Sequence, residues 1–199
     1  MAPHYQKAYF LLSVADVKQL PPDHGIEVAM VGRSNAGKSS VLNRITQNKG
    51  LARVSKTPGR TQMVNIFVLD EHRRIADLPG YGYAKAPLSE KKKWQKTVDA
   101  YIADRQCLTG LILVMDIRHP FKEMDVQLLE YCDHRGLRVH LLLNKADKLS
   151  KNQVVKTLQE VKASLTRYRN SVTFQVFSAL KGTGVKELHL LLDQWYDYK

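Results

Sequence analysis

Cysteine is scarce in this 199-residue sequence, with only Cys107 and Cys132 present. The two form no CxxC pair and no ligand spacing with histidine, which excludes a disulfide framework and a zinc site of the usual spacing. Each falls in an apolar stretch and reads as a buried free thiol, as suits a reducing compartment. No apolar run approaches the roughly 20 residues of a membrane-spanning helix. The apolar stretch 8–15 lies too close to the first strand of a domain to be a signal-peptide core. Ala2 is not a myristoylation site, and the final WYDYK offers no prenylation cysteine. A cytoplasmic protein without a membrane anchor is therefore expected. Repeats, low-complexity blocks and interdomain linkers are missing too. The length fits a short arm over 1–22, closed by Pro21-Pro22, and a single domain over 23–199.

Acidic residues are also in short supply. Nineteen Asp plus Glu face 31 Lys plus Arg, a formal net charge of +12. Such a surplus favours a polyanionic partner, nucleic acid above all. The seven histidines (His4, His24, His72, His119, His134, His140 and His189) show no ligand spacing and read as surface or loop residues.

What is present is alternation. Apolar runs at 26–31, 64–69, 74–76, 108–115, 139–143 and 172–177 read as strands. Helices are expected at 38–47, 89–105, 121–134 and 150–167, the last opened by a Ser150/Gln153 capping box. A final helix, capped by Thr183, runs to 196. The pattern predicts an α/β fold with a mostly parallel six-stranded sheet covered by helices on both faces. Ligands of such sheets bind beyond the carboxyl ends of the strands, where the informative motifs fall.

Gly32-Arg33-Ser34-Asn35-Ala36-Gly37-Lys38-Ser39 matches GxxxxGK[ST] between a strand and a helix. Its glycines let the backbone N–H groups face a β-phosphate. Lys38 brings a cation to the β- and γ-phosphates, Ser39 a hydroxyl for Mg2+, and the following helix its positive end. Asp77-Leu78-Pro79-Gly80 is a DxxG after the third strand: Asp77 for a magnesium-bound water, the Gly80 N–H for a γ-phosphate. Asn144-Lys145-Ala146-Asp147 ends the fifth strand. Guanine offers two donors, N1–H and the exocyclic amine, which one carboxylate accepts together; adenine offers no such pair. Asp147 is thus the base reader. The Lys145 stem lies along the base, and Asn144 braces the phosphate loop. Ser178-Ala179 follows the last strand, with the Ala179 N–H within reach of guanine O6. The aperiodic segment 50–63 carries Thr61, preferred over Thr57 as a second magnesium ligand because it stands directly before a strand. A segment of this kind orders around a γ-phosphate.

With these motifs in place, the chain resembles the translation-factor-related class of Ras-like P-loop GTPases, and within it the EngB family (also called YihA or YsxC). The stretches that carry the resemblance are GRSNAGKSS (32–40), KTPGRTQ (56–62), DLPGYGYAK (77–85) and NKAD (144–147). It implies GTP and GDP contacts at Gly32 through Ser39, at Gly59, Arg60, Thr61, Gln62 and Met63, at Asp77 through Gly80, at Asn144 through Asp147, and at Phe177, Ser178 and Ala179. It implies Mg2+ on Ser39 and Thr61. The family's role implies a switch in large-ribosomal-subunit assembly, with its RNA as partner, needed for normal cell division and septation. The alternative is a regulatory GTPase working through protein effectors. A monomer is expected.

Ras-like enzymes orient the attacking water with a Gln directly after DxxG; Tyr81 stands there instead, so slow intrinsic hydrolysis completed by a partner is expected. Lys38 is the principal catalytic candidate. Asn35 resembles a phosphate-loop Asn that binds K+ in some related GTPases and is a second candidate. Arg60 is a weaker one, as a charge finger supplied in cis. Basic residues gather beside the two mobile-loop segments: Lys49, Arg53, Lys56 and Arg60 at the first, and Lys85, Lys91, Lys92, Lys93 and Lys96 at the second. Trp94, inside the lysine run, reads either as core or as a platform for a base.

Overall fold

The computed structural model describes residues 5–52, 63–82, 88–168 and 172–198. In chain order these form β1 (Tyr9–Val14), β2 (Ile26–Gly32), α1 (Lys38–Thr46), β3 (Val64–Val68), β4 (Arg73–Asp77), α2 (Leu88–Asp104), β5 (Leu108–Asp116), α3 (Glu123–His134), β6 (Arg138–Asn144), α4 (Lys151–Leu165), β7 (Val172–Val176) and α5 (Val185–Trp195). The strands make one sheet in the order β1-β3-β4-β2-β5-β6-β7. Both β1 and β4 pair antiparallel with β3, and the remaining pairs are parallel. The sheet is therefore mostly parallel, as its apolar runs predict.

Alternation along the central strands builds two cores. Val28 and Met30 of β2 and Ile112 and Val114 of β5 pack with Val41, Leu42 and Ile45 of α1 and Leu188 and Leu192 of α5. The residues between them, Ala29, Val31, Leu111 and Leu113, face α2, α3 and α4 through Val98, Tyr101, Leu128, Leu129 and Val161. Successive side chains of a strand point to opposite faces, so a continuously apolar strand fills both cores at once.

The sheet has seven strands rather than the expected six. The additional one, β1, comes from the segment read as an arm. Most of its residues are exposed, so no buried stripe announces it; β3 supplies its hydrogen bonds, with an irregularity between Phe10 and Leu12. Helix α5 begins after Gly184, in a left-handed conformation with φ 80°, rather than after a Thr183 cap. The α4 capping box of Ser150 and Gln153 is as expected. Two histidines are not at the surface. His140 is buried in the sheet, its ring nitrogens 2.8 Å from Thr173 Oγ1 and 3.1 Å from Gln175 Oε1. His189 is buried with Nε2 2.8 Å from the Ile45 carbonyl oxygen and its ring stacked on Tyr5. Cys107 and Cys132 are buried free thiols, as read.

At the amino end of β2, the buried Glu27 carboxylate accepts from the Tyr101 hydroxyl and from Arg105 Nε at 2.9 Å, and Arg74 Nε lies 3.1 Å away. The two ends of the described chain meet at the β4 side of the sheet. Tyr196 donates to the Arg74 carbonyl, Tyr198 to Asp70, and Tyr5 to Asp193. Among the described residues no helix is long and apolar enough to cross a membrane.

Candidate nucleotide site

The carboxyl ends of β2, β4, β5 and β6 present Gly32, Asp77, Asp116 and Asn144 along one rim, and the turn after β7 joins them. The loop from Gly32 into α1 turns through two left-handed residues, Asn35 at φ 65° and Gly37 at φ 97°. At Gly37 a Cβ would also meet Asn144 Nδ2 at 2.4 Å, so glycine is required there on two counts. Asn144 Nδ2 donates to the Ala36 carbonyl at 2.9 Å, and Lys145 Nζ to the Asn35 carbonyl at 2.5 Å. The two motifs are thus tied together, as expected of Asn144.

The Lys38 ammonium is ion-paired with Asp77, whose second oxygen accepts from Asn65 Nδ2 at 3.3 Å. Ser13 of β1 donates to Asn65 Oδ1 at 2.5 Å, which fixes the amide with its nitrogen toward Asp77. Sequence reasoning missed both residues; a polar Asn inside an apolar strand was the available signal. The Ser39 hydroxyl follows Lys38 in the first turn of α1. Ser39 and Asp77 offer hard oxygen donors, which fits Mg2+.

Leu78 is buried and donates its N–H to the Met30 carbonyl. The Pro79 carbonyl accepts from the Trp94 indole at 2.6 Å. Gly80 lies against the phosphate loop: a Cβ there would stand 3.4 Å from the Gly32 carbonyl oxygen and 3.5 Å from Ser34 N. Tyr81 joins Arg33 in a short bridge, and its carbonyl accepts from the Ser34 N–H at 2.7 Å. The Tyr81 ring is buried against Trp94, and its hydroxyl donates to Asp125. Burial, together with the Asp125 charge, pushes the phenol well above its ordinary range, and burial raises the Asp125 carboxyl as well. Trp94 therefore packs inward, which decides between its two readings.

Asp147 Oδ1 accepts from the Ser178 hydroxyl at 2.6 Å, which sets the carboxylate's orientation. The Ala179 N–H is held by Asn144 Oδ1 at 3.1 Å, and the buried Phe177 gives its carbonyl to the Ala146 N–H. Arg44 of α1 pins this turn through the carbonyls of Ala179 and Leu180. Lys145 adopts φ 66° and sets its ammonium 3.0 Å from Asp116, which also accepts twice from the Arg118 guanidinium. Burial works to raise the Asp116 carboxyl, but the bonds from Arg118 and Lys145 outweigh it and hold the group well below the usual carboxylate range. Asp116 and Arg118 belong to no motif and were not anticipated.

Met63 is exposed at the start of the second described segment. Gly59, Arg60, Thr61 and Gln62 lie outside the described residues, as do Arg53, Lys56, Lys85 and the side chain of Lys91. Of the basic residues beside the loops, Lys49, Lys92, Lys93 and Lys96 are exposed. The rim thus joins a cation, a helix N-terminus and left-handed backbone turns suited to phosphates with a fixed carboxylate suited to two adjacent N–H donors.

A family model described as "50S ribosome-binding GTPase" matches residues 27–145, and one described as "Elongation factor Tu GTP binding domain" matches residues 94–197. The "Probable GTP-binding protein EngB" of Coxiella burnetii (strain RSA 331 / Henzerling II) is 54% identical over 195 residues, covering 98% of this chain and 95% of the relative. Among solved structures, that of a probable GTP-binding protein engB superposes with a TM-score of 0.67 at 20% identity, over 87% of this chain and all of that one, 100%. Era in complex with MgGDPNP and nucleotides 1506-1542 of 16S ribosomal RNA gives 0.65 at 21% identity, over 86% of this chain and 57% of that one.

Proposed function

Because the chain belongs to the EngB family of GTP-binding proteins and is a GTPase, we propose that it is a GTP-dependent switch in assembly of the large ribosomal subunit. The observation that carries this reading is the match to a 50S ribosome-binding GTPase model, joined to a net charge of +12. Exposed Lys92, Lys93 and Lys96 stand on α2, the helix whose Trp94 donates to Pro79 of the DxxG segment. Charge placed there can make RNA affinity depend on nucleotide state. A need for the protein in normal cell division and septation belongs to the same reading.

In this mechanism Lys38, paired with Asp77 in this structure, would serve the β- and γ-phosphates, while Ser39 would hold Mg2+ and Asp77 a water bound to it. Bound Mg2+ supplies charge neutralisation on the phosphates. Asp147, oriented by Ser178, accepts both guanine donors. Gly59, Arg60, Thr61, Gln62 and Met63 would add contacts to GTP, and Thr61 would join Ser39 in holding Mg2+. Hydrolysis is slow because Tyr81 gives its hydroxyl to Asp125 and leaves the attacking water unoriented; a partner completes the site. The exposed Asn35 would hold K+ as a further charge, so turnover should be faster in potassium than in sodium salts. Equal rates would remove the K+ role.

The deciding experiment is co-sedimentation with purified ribosomal subunits in GDP or a non-hydrolysable GTP analogue. Retention on the large subunit with the analogue alone is expected. Equal, weak retention in every lane that vanishes at moderate salt would overturn the switch and favour protein effectors.

A further inference from the structure

We propose that Trp94 is a positioning residue for the γ-phosphate, its indole N–H presetting the Pro79–Gly80 peptide so that the Gly80 N–H faces the phosphate loop. The inference rests on the guanine-nucleotide reading above and adds a side chain to it that no motif contains.

The argument starts from one planar group. No cis peptide bond occurs among the described residues. In a trans peptide the carbonyl and the N–H that share the plane point in opposite directions. The Pro79 carbonyl is directed at Trp94, 2.6 Å from the indole nitrogen. Trp94 belongs to α2, which packs on the sheet face shared with α3 and α4, whereas α1 and the phosphate loop lie on the other. The Gly80 N–H is consequently turned from α2 toward the phosphate-loop side. The backbone around Gly80 agrees, since it sits against Gly32 and Ser34.

The indole is itself held. Its ring packs on Tyr81 with centroids 4.8 Å apart, and Tyr81 is fixed by Asp125 of α3. A preset donor costs no reorganisation when the charge arrives, so the bond acts on ligands that carry a γ-phosphate and not on those that lack one. Phenylalanine keeps an aromatic ring against Tyr81 and removes the N–H, at the cost of a smaller ring.

The test is Trp94→Phe, with affinities for GDP and a non-hydrolysable GTP analogue measured side by side. Loss of one hydrogen bond's worth of positioning should weaken the analogue by about three- to tenfold. GDP affinity should hold within about twofold, for want of a γ-phosphate to sense. A ratio unchanged from wild type overturns the role of Trp94 while leaving the guanine reading intact, and so does equal weakening of both ligands, which marks a merely structural contact. A wild type that binds neither nucleotide overturns both. An independent readout uses the indole 15N–1H signals of the two tryptophans, Trp94 and the core residue Trp195. Exchange of GDP for the analogue should move the Trp94 signal and leave Trp195 in place; two unmoved signals would overturn the proposal.

Discussion

In the proposed mechanism Tyr81 is a side chain withdrawn from chemistry. The residue after DxxG is where a water-orienting group belongs, yet this ring is buried and its hydroxyl is spent on Asp125. Tyr81→Ala should therefore lower basal GTP hydrolysis by less than about tenfold, under roughly 1.4 kcal/mol of barrier. The melting temperature should fall instead, because Asp125 loses its partner inside the fold. A larger loss of single-turnover rate with stability unchanged would assign the phenol a direct part. At this scale the sequence was informative wherever function sits in consecutive residues. Lys38, Asp77 and Asp147, the residues proposed for phosphate, magnesium and base, are legible because such recognition needs their types at short fixed spacing. Asn65, Ser13, Asp125 and Trp94 reach the same site from separate elements, and only the tertiary pairing of β1, β3, α2 and α3 reveals them.

Elements with a buried stripe were legible; β1 was not, because an exposed edge strand has no apolar period to read. The start of α5 was misread for a related reason: a left-handed Gly184 serves as its cap, and Thr183 next to it looks equally able. Besides its Trp94 contact at the rim, α2 has a second anchor far from it. Tyr101 and Arg105, near and just past its carboxyl end, both donate to Glu27, which also faces Arg74. Glu27→Ala would leave two guanidiniums without their buried counter-charge, at a cost of about 3–5 kcal/mol. Urea unfolding should show a correspondingly lower midpoint; an unchanged midpoint would mean that α2 is held by apolar packing alone.

Acid should act on the whole molecule in two stages. Burial pushes the His140 pKa down from 6.5 to about 4, although its bond to Gln175 opposes the shift. The unfolded chain therefore binds a proton more readily than the fold. Stability is fully present above pH 6.5 and declines as pH falls toward about 4. The steepest slope from this one group is about 1.4 kcal/mol per pH unit. His140→Gln should flatten the urea midpoint across that window; an unaltered profile would put the sensitivity elsewhere. Asp23 acts lower. Burial raises its carboxyl, but backbone N–H bonds from residues 106 and 107 prevail and bring it to about 2. Its stabilisation is present above pH 3.8 and is lost as pH falls toward 2.

The meeting of the two chain ends at β4 also has a consequence in time. The carbonyl of Arg74 waits for the hydroxyl of a tyrosine 122 positions later. At a synthesis rate of about 5–20 residues per second that is roughly 6–24 seconds of translation. The phosphate loop, Asp77 and Asp147, the proposed guanine reader, all leave the ribosome before Tyr196 does. The motif residues that would hold nucleotide are thus all synthesised before the tyrosines that close this seam.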